Sequence, residues 1–503
     1  MKVFLTEQIR NWDAYTIERE PIASVDLMNR AARVFTEWFA GLYADTEQPV
    51  YILAGTGNNG GDGVAVARML HERFYPVKVF VCDFTGKHSA DFDEQVDALP
   101  PNKVVDLAWL KSAADFPEVP TNALLIDALF GSGLTRPLEG AWADVIDRIN
   151  ALPNEKIAID LPSGLFADRF SPGPCVHAAR TFSFERPKLA FFFSENNERV
   201  GEWAFRSIGL HSEFSDKTQT PFFFLTNALV KNLFKPRPRF SHKGTFGHAL
   251  LCNGSLGKIG AAVLAAEACL RSGLGLLTLH TPHCGYEILQ ARLPEAMCSI
   301  DPSGTCWTNL PNLAPFSAIG AGCGIGQDAK TAQVLKRLIQ TVQVPLVLDA
   351  DALNLLAKHP AWLQFLPEGT ILTPHPKEFE RLFGTSANMF ERNTLQRAKA
   401  QQLKVYIILK GAYTAIACPD GSCWFNSTGN PGMATGGSGD VLLGLLTGLL
   451  AQGYTPRSAC LLGVWLHGRA GDLAAAEKSQ AGMTAGDIAS KLGTAWQQLE
   501  LDL

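Results

Sequence analysis

The sequence lacks the cysteine and histidine patterns that mark metal centres and disulfide frameworks. It has 11 cysteines, an odd number, and none falls in a C-x-x-C pair; Cys418 and Cys423 lie closest together. Zinc centres and small disulfide-rich folds both require paired cysteines at short spacing. Clusters of His, Cys and Glu are also missing, which argues against a transition-metal centre. We therefore expect small, buried cysteines in a reducing cytoplasm.

Long apolar runs and a strong net charge are missing as well. The first residues, MKVFLTEQIRNWDAY, contain no signal-peptide apolar core, and no uninterrupted apolar run reaches the ~20 residues that span a bilayer. The net charge is −5, from 44 basic and 49 acidic residues. Such a charge gives no reason to expect nucleic acid or a membrane as partner. We expect a cytoplasmic homo-oligomer that acts on small molecules.

The chain is organised as two blocks of alternating strand-like and helical segments. At 503 residues it is too long for a single hydrophobic core. The first block begins with amphipathic helices near residues 6–20 and 24–42, and the run LAFFF (189–193) is predicted to be one of its last strands. Near-continuous apolar strands between helices predict parallel sheets covered on both faces. We predict an α/β protein with domains at residues 1–215 and 225–503.

The segment GMATGGSGD (432–440) has the strongest chemical signal, because it runs directly into the apolar stretch VLLGLLTGLL. Its glycines remove Cβ atoms at the start of a predicted helix, so that backbone N–H groups converge on an anion. Asp440 would repel a phosphate, which fits a base that deprotonates a hydroxyl attacking that phosphate. The alternative is a glycine-rich turn in which Asp440 is only an N-cap.

A second glycine loop, GTGNNGGDG (55–63), lies between the strand-like run YILA and the helical run VAVARML. Strand, glycine-rich turn and helix is the arrangement that presents phosphates to a helix N-terminus. The spacing fits neither the G-x-G-x-x-G fingerprint with its acid nor G-x-x-x-x-G-K-[ST]. Asn58, Asn59 and Asp62 add polar groups for a ribose, an amide or a cation.

Residues that follow strands are the next candidates, because ligands of open α/β sheets bind beyond the carboxyl ends of strands. In the first block Asp127 and Asp160 each end an apolar run, and each is either structural or functional. Lys188 is either a salt-bridged surface lysine or the cationic partner of Asp160.

The second block also has candidate residues directly after its predicted strands. Lys410 follows the apolar run VYIIL, where it either forms an ion pair or approaches a nucleotide. His375 is held between two prolines and is either structural or part of the site. Asp349 and Asp351 either hold magnesium or a ligand, or cap the next helix.

These motifs, in this order, resemble two known families. The first block resembles the YjeF N-terminal domain family, the NAD(P)H-hydrate epimerases, through GTGNNGGDG, DALFGSGL, DLPSGL and TFSFERPKLA. The second resembles the ADP/ATP-dependent NAD(P)H-hydrate dehydratases of the ribokinase-like superfamily. Its motifs are HKGTFG, GAGCGIG, LDADALN, LTPHPKEFERL, LKGAYT and ATGGSGDVL. The resemblance implies a Rossmann-like doubly wound domain followed by a ribokinase-like α/β/α domain, together forming a bifunctional repair enzyme.

For the first domain, the resemblance implies binding of a hydrated dinucleotide and interconversion of its R and S forms at C6 of the nicotinamide ring. The implied substrate-binding residues are Asn58, Asn59, Gly60, Gly61, Asp62, Gly131, Ser132, Gly133, Leu134, Thr135, Arg136, Pro137 and Asp160. Asp160 and Lys188 are the implied catalytic residues. Asn59, Asp127 and Ser163 are the implied ligands of a potassium ion.

For the second domain, the resemblance implies that ADP, taken up with magnesium, activates loss of water from the S hydrate. ADP contributes a phosphoryl group to the C6 hydroxyl, Asp440 takes the proton, and AMP and phosphate are released. The implied nucleotide-binding residues are Lys410, Gly411, Ala412, Tyr413, Thr414 and Gly439. The implied hydrate-binding residues are Ala261, Gly322, His375 and Asp440.

Two other functions fit parts of the sequence. A ribokinase-like kinase for a small molecule, fused to a nucleotide-binding domain, would use the same glycine loop and base. A non-catalytic nucleotide sensor or scaffold would explain the fold, but it would not require Asp160, Lys188, His375 and Asp440 together.

Overall fold

The structure is a computed structural model that describes residues 1–99 and 105–501. Residues 100–104 of the predicted first domain and residues 502–503 at the end of the predicted second domain lie outside this part. The chain divides into two compact units, a first one at Lys2–Thr220 and a second one that begins at Pro221.

The first unit alternates strands and helices along most of its length. Its helices are α1 (Thr6–Arg19), α2 (Ser24–Leu42), α3 (Asn58–His71), α4 (Ala90–Asp97), α5 (Ala141–Ala151), α6 (Asn197–Val200) and α7 (Ser212–Lys217). Its strands are β1 (Lys2–Val3), β2 (Val50–Ala54), β3 (Val77–Cys82), β4 (Asp106–Leu110), β5 (Leu124–Ala128), β6 (Lys156–Ile159), β7 (Arg180–Phe184) and β8 (Glu202–Arg206). The two predicted amphipathic helices are confirmed as α1 and α2.

The seven strands β2 to β8 form one parallel sheet in the order β4-β3-β2-β5-β6-β7-β8. Chain order reverses between β2 and β5, which lie side by side. The loops that leave the carboxyl ends of these two strands therefore border a crevice, the usual ligand position in such sheets. GTGNNGGDG follows β2, and the loop at residues 129–137 follows β5.

One predicted strand of the first unit is wrong. The run LAFFF does not join the sheet, because Leu189–Phe192 forms a 3₁₀ helix. All of its side chains are buried. A short run that is apolar on every side has no periodicity with which to distinguish a strand from a helical turn.

The second unit has a larger sheet and more helices. Its helices are α8 (Asn227–Lys231), α9 (Ile259–Arg271), α10 (Tyr286–Arg292), α11 (Ala329–Thr341), α12 (Asp351–Lys358), α13 (Pro376–Phe383), α14 (Met389–Leu403), α15 (Ser438–Ala451), α16 (Pro456–Lys478) and α17 (Ala485–Leu501). Its strands are β9 (Phe222–Phe224), β10 (His248–Cys252), β11 (Leu276–Pro282), β12 (Met297–Asp301), β13 (Ala318–Ala321), β14 (Leu346–Leu348), β15 (Ile371–Leu372), β16 (Tyr406–Leu409), β17 (Ala415–Ala417) and β18 (Cys423–Phe425).

These strands pair in the order β9-β18-β17-β16-β15-β14-β13-β10-β11-β12. The sheet is parallel from β16 to β12, as predicted, whereas β16, β17 and β18 form antiparallel hairpins that the sequence did not predict. Chain order reverses between β10 and β13, so the loops after these two strands border the second crevice. Helix α15, which follows GGSGD, is buried along nearly its whole length.

Within the described residues, no helix is both long and apolar enough to cross a membrane.

Candidate active sites

The glycine loop after β2 is packed tightly against its own unit. A Cβ at Gly60 would lie 1.7 Å from the carbonyl oxygen of Gly55, and one at Gly55 would lie 2.2 Å from that of Leu129. A Cβ at Gly131 would lie 2.7 Å from Oδ1 of Asn59. The loops after β2 and β5 therefore touch at the switch point, the place where chain order reverses, and glycine is required because the backbones approach so closely.

A cavity of about 660 Å³ opens at this edge of the sheet. Its wall includes the predicted residues Asn58, Asn59, Asp62, Gly131, Ser132, Gly133, Leu134, Thr135, Arg136, Asp160 and Lys188. The predicted residues Gly60, Gly61 and Pro137 are not part of that wall. Gly60 and Gly61 lie in the first turn of α3, where a Cβ at Gly61 would lie 2.8 Å from the sulfur of Met28.

Asp160 and Lys188 form a buried ion pair at the cavity. Lys188 Nζ lies 2.7 Å from Asp160 Oδ1, and the two residues are 1 % and 7 % exposed. The same ammonium group also donates to Ser183 Oγ and to the carbonyl oxygens of Phe184 and Arg186. Asp160 has a positive φ of 62°, an unfavourable backbone conformation for a non-glycine residue that is typical of functional sites.

The predicted potassium ligands Asp127 and Ser163 are in direct contact. Ser163 donates to the Asp127 carboxylate from Oγ at 2.5 Å and from its backbone N–H at 2.7 Å. Burial raises the pKa of Asp127 to about 6, although these hydrogen bonds oppose the shift. Asn59 Nδ2 is buried and has no hydrogen-bond partner among the described residues. Its amide lies against the loop at Gly131.

The loop at residues 131–137 is fixed by two arginines from other elements. Arg10 of α1 donates to the carbonyl oxygen of Gly133 at 2.9 Å, and Arg169 donates to that of Thr135 at 2.7 Å. These contacts position the loop backbone along the cavity wall.

In the second unit, Lys410 and Asp349 form the central ion pair at the ends of β16 and β14. Lys410 Nζ lies 2.8 Å from Asp349 Oδ1 and 3.9 Å from Glu378 Oε2. Burial alone would lower the pKa of Lys410, but the two carboxylates raise it. A Cβ at Gly439 would lie 3.2 Å from both Lys410 Nζ and Asp349 Oδ2. The glycine loop therefore approaches this ion pair so closely that a side chain at residue 439 would displace the Lys410 ammonium group or the Asp349 carboxylate.

Asp440 lies in the first turn of α15, next to the same pair. Burial raises its pKa to about 6; a hydrogen bond from the Cys323 thiol and the charge of Lys410 oppose the rise, and Asp349 adds to it. The helix begins after Gly437, which has a φ of 96°. A carboxylate with a raised pKa at a helix N-terminus fits a proton acceptor better than a simple N-cap.

Ala261 and Gly322 lie on the other side of the second crevice. A Cβ at Gly322 would lie 2.0 Å from the carbonyl oxygen of Asp349, and one at Gly324 would lie 3.1 Å from the Ala261 Cβ. The loops after β13 and β14 and the start of α9 are thus in contact. Gly322 thus contacts Asp349, the partner of Lys410 and neighbour of Gly439, whereas Ala261 contacts the same loop at Gly324.

His375 is the N-cap of α13. Its Nδ1 accepts hydrogen bonds from the N–H groups of Lys377 and Glu378, and the Glu378 carboxylate accepts from the His375 N–H at 2.8 Å. This reciprocal capping fixes the ring, which remains 43 % exposed at the side chain. The same Glu378 faces Lys410, so His375 is connected to the central pair.

The predicted nucleotide residues Gly411, Ala412, Tyr413 and Thr414 form the turn between β16 and β17. Thr414 Oγ1 donates to the Gly411 carbonyl oxygen at 2.9 Å. Tyr413 has a φ of 51°, and a Cβ at Gly411 would meet nothing within 4 Å. The turn is therefore an open surface beside Lys410.

Asp349 and Asp351 both have protein partners. Asp349 binds Lys410, while Asp351 accepts from the Gly326 N–H at 2.9 Å and from Lys258 at 3.3 Å. Within the described residues, no group of three or more His, Cys, Asp or Glu side chains forms a metal-binding cluster.

Three site residues escaped the sequence interpretation. Asp13 of α1 lines the first cavity, although α1 contains no motif that would mark it. Cys323 and Asn253 belong to the second crevice. The Cys323 N–H donates to Asn253 Oδ1 at 3.1 Å, and the buried Nδ2 of Asn253 has no partner among the described residues. Only the position of Asn253 and Cys323 in strand-end loops could have indicated these two residues from the sequence.

Comparison with known proteins gives full-length relatives. Residues 24–190 match the family described as YjeF-related protein N-terminus, and residues 249–493 match the NAD(P)H-hydrate dehydratase family. The bifunctional NAD(P)H-hydrate repair enzyme of Moorella thermoacetica is 37 % identical over 95 % of this chain and 93 % of its own length. The corresponding enzyme of Thermofilum pendens is 32 % identical over 100 % of this chain and 97 % of its own length.

This chain belongs to the bifunctional NAD(P)H-hydrate repair enzyme family. It is therefore an enzyme with two catalytic domains rather than a scaffold. A solved structure, the ADP/ATP-dependent NAD(P)H-hydrate dehydratase of Bacillus subtilis crystallised with ATP and Mg²⁺, is 34 % identical with a TM-score of 0.48. The matched region covers 55 % of this chain and 98 % of the Bacillus subtilis chain.

Proposed function

We propose that the protein repairs hydrated NADH and NADPH in two steps. The first domain interconverts the R and S hydrates at C6 of the nicotinamide ring. The second uses ADP to convert the S hydrate back to NAD(P)H, with release of AMP and phosphate. The supporting observation is that each unit of a repair-family chain has a lysine–carboxylate ion pair and a glycine loop, both at the carboxyl edge of its sheet.

In the first domain, Asp160 is the acid–base residue and Lys188 its partner. Epimerisation must break and remake the C6–O bond, with a proton transferred each way. Lys188 holds Oδ1 of Asp160, and no described group donates a hydrogen bond to Oδ2, which leaves that oxygen for the substrate. The loops at residues 58–62 and 131–137 bind the dinucleotide, with Arg136 on the cavity wall beside its phosphates.

Potassium fits the residues at the end of β5. Asp127, Ser163 and Asn59 offer oxygen ligands, the Asp127 carboxylate has no cationic partner among the described residues, and burial raises its pKa to about 6. A bound cation would offset that unneutralised charge and order the loops after β2 and β5. These residues would hold the ion, while proton transfer stays with Asp160.

In the second domain, Asp440 takes the proton of the C6 hydroxyl as that oxygen attacks the β-phosphorus of ADP. Lys410 and the N–H groups at the start of α15 stabilise the negative charge on the transferred phosphoryl group. Phosphate then leaves C6, driven by the lone pair of the ring nitrogen, and a proton lost from C5 completes the double bond. Phosphorylation is needed because hydroxide is a poor leaving group.

The remaining residues bind the two substrates of this step. ADP, which enters with magnesium, lies along Lys410, Gly411, Ala412, Tyr413, Thr414 and Gly439. The hydrate lies against Ala261, Gly322 and His375. The eleven cysteines are all free thiols, which suits the reducing cytoplasm that we infer as the location. Assembly as a homo-oligomer remains a prediction for sedimentation analysis.

One absorbance assay on the full chain tests the proposal. A mixture of R and S hydrates of NADH, incubated with protein, ADP and Mg²⁺, should recover the absorbance of reduced nicotinamide completely. Asp160→Asn should recover only the S fraction rapidly, and Asp440→Asn should recover almost none. Recovery of both fractions by Asp160→Asn at the wild-type rate would contradict the division of labour.

The fused-kinase alternative makes a different prediction in that assay. A kinase would consume ADP or ATP and leave a stable phosphorylated product, without recovery of reduced nicotinamide. Membership in the repair family favours the first outcome.

A further inference from the structure

The first cavity contains an ionisable side chain that the proposed mechanism does not use. Asp13 lies on α1, where Ile9, Arg10, Asp13 and Ile17 form the helix face that lines the cavity. No described residue donates a hydrogen bond to its carboxylate. It shares the cavity wall with Asp160 and Lys188.

Helix α1 holds Asp13 in a fixed position. On one side Arg10 is bound to the Gly133 carbonyl oxygen. On the other, Trp12 Nε1 donates to the His211 carbonyl oxygen at 2.9 Å, and the His211 N–H donates to Thr16 Oγ1 at 3.0 Å. Trp12 is 1 % exposed, so the helix is anchored by its core face. A side chain mounted in this way is preorganised for catalysis.

Lys188 is poorly placed to exchange protons with a substrate. Its ammonium group has four acceptors within 3.4 Å, namely Asp160, Ser183, Phe184 and Arg186, and its side chain is 2 % exposed. Epimerisation nevertheless needs one group to protonate the departing hydroxyl and another to deprotonate the entering water. Asp160 supplies only one of them.

We propose that Asp13 is the second acid–base residue of the epimerase site, working with Asp160 on the two faces of C6; this inference rests on the proposed function. Protonated Asp13 gives its proton to the C6 hydroxyl as the C6–O bond breaks and the ring nitrogen lone pair forms a C=N bond. Water adds to the other face of C6, the C=N electron pair returns to nitrogen, and the Asp160 carboxylate takes the released proton. One water leaves, one enters, and the reverse reaction starts from the exchanged protonation state.

The electrostatic surroundings suit this task. Burial and the charges of Asp160 and Glu185 raise the pKa of Asp13 to about 7, and Lys188 opposes them. Arg10, Asp62, Asp91 and Arg136 are the other charged residues on the cavity wall. Burial, together with the charges of Asp160, Asp13 and Asp91, raises the pKa of Asp62 well above its usual range. Asp13 can exchange its proton at neutral pH.

The test compares Asp13→Asn with Glu18→Gln, an exposed carboxylate on the same helix, in the full chain. Interconversion of R and S hydrates is followed by chromatography, without ADP. Asp13→Asn should lower the epimerase turnover number by roughly two to four orders of magnitude, with a KM for the hydrate within about threefold of wild type. Glu18→Gln should retain the wild-type rate.

The pH profile separates catalysis from structure. Wild-type kcat/KM should be bell-shaped, because the reactive form has one proton shared between the two carboxylates, and Asp13→Asn should lose one limb of the bell. Asp13→Glu should recover part of the epimerase rate and the missing limb of the pH profile. This variant also tests the proposal if Asp13→Asn weakens folding. Dehydration of pure S hydrate should be unchanged in every variant.

Two results would overturn the inference in different ways. A wild-type protein that does not interconvert the hydrates overturns the proposed function and Asp13 with it. A wild type that does, beside an Asp13→Asn variant with near-normal turnover and an unchanged pH profile, overturns the role of Asp13 alone.

Discussion

The two sites use similar parts but connect them differently. In the first unit the lysine binds the candidate acid–base carboxylate itself, with 2.7 Å between Lys188 Nζ and Asp160 Oδ1. In the second unit Lys410 binds a neighbouring carboxylate, Asp349, at 2.8 Å. Asp440, the candidate base, receives instead a hydrogen bond from the Cys323 thiol, and burial raises its pKa to about 6.

This difference follows from what each site must hold. In the proposed mechanism the first site breaks and remakes the C6–O bond without transferring a charged phosphoryl group, so the lysine can be buried to orient one carboxylate. Phosphoryl transfer in the second site needs a cation facing the phosphates. Lys410, with 22 % of its side chain exposed and Gly439 beside it, remains accessible to a nucleotide.

The largest expected effect comes from removing the charge of Asp440. Asp440→Asn should lower dehydratase turnover by roughly two to four orders of magnitude, the usual worth of a positioned base. ADP should bind equally or more tightly, because repulsion with phosphate is relieved. Turnover at saturating ADP and calorimetric ADP binding check this, with the exposed Glu295→Gln as control. Lost ADP binding with normal turnover would make Asp440 a ligand instead of a base.

Removing either lysine should destabilise the domain that contains it. Lys188→Met leaves Asp160 buried and unpaired, which should destabilise the first domain by about 3–5 kcal/mol. Lys410→Met should cost a similar amount, because it leaves Asp349, which is 1 % exposed, without its cationic partner, and it should also weaken ADP binding. Domain unfolding transitions and ADP binding, both measured by calorimetry, check these expectations. Lost stability with unchanged ADP affinity in Lys410→Met would separate this lysine from the nucleotide.

Adding a side chain at Gly439 should weaken ADP binding by about tenfold or more, or ~1.4 kcal/mol. The branches of Gly439→Val would extend toward Lys410 and Asp349 and block the phosphate approach. Gly493→Val, where a Cβ meets nothing within 4 Å, is the matched control. Unchanged ADP affinity in Gly439→Val would place the nucleotide elsewhere.

The raised pKa of Asp440 predicts a pH effect on both activity and stability. Dehydratase turnover should increase as pH rises through about 6, because the base must be ionised. The native state binds this proton more tightly than the unfolded state, so the stabilisation it provides is lost as pH rises from about 4 to about 6. Asp440→Asn should therefore be more stable than wild type at pH 8, by up to about 3 kcal/mol, and equal to it below pH 4. Equal stability at all pH values would contradict the raised pKa.

The smallest effect should come from the cation in the first domain. Replacing potassium by a large organic cation should slow epimerisation several-fold and leave dehydration of the S hydrate unchanged. The matched control is Asp127→Asn, which removes the charge that the cation offsets and should make the epimerase insensitive to the exchange. An equal response of both activities would exclude a site confined to the first domain.

The two-block α/β plan could be predicted from the sequence alone, because buried parallel strands are continuous apolar runs and amphipathic helices have a 3.6-residue period. It also indicated both glycine loops and the strand-end acids, since close backbone approach requires glycine and parallel strands end at one edge. It misassigned Leu189–Phe192 and missed β17 and β18, where three-residue strands are too short for any periodicity.

Which of these residues contact one another depends on the fold. Lys188 meets Asp160 and Lys410 meets Asp349, pairs that are separated by 28 and 61 positions in sequence. No local pattern specifies such contacts, because they depend on strand order and on the loops at the two switch points. Asp13 is the clearest case: it is an ordinary helical acid in the sequence, and only the fold places it on the wall of the first cavity with Asp160 and Lys188.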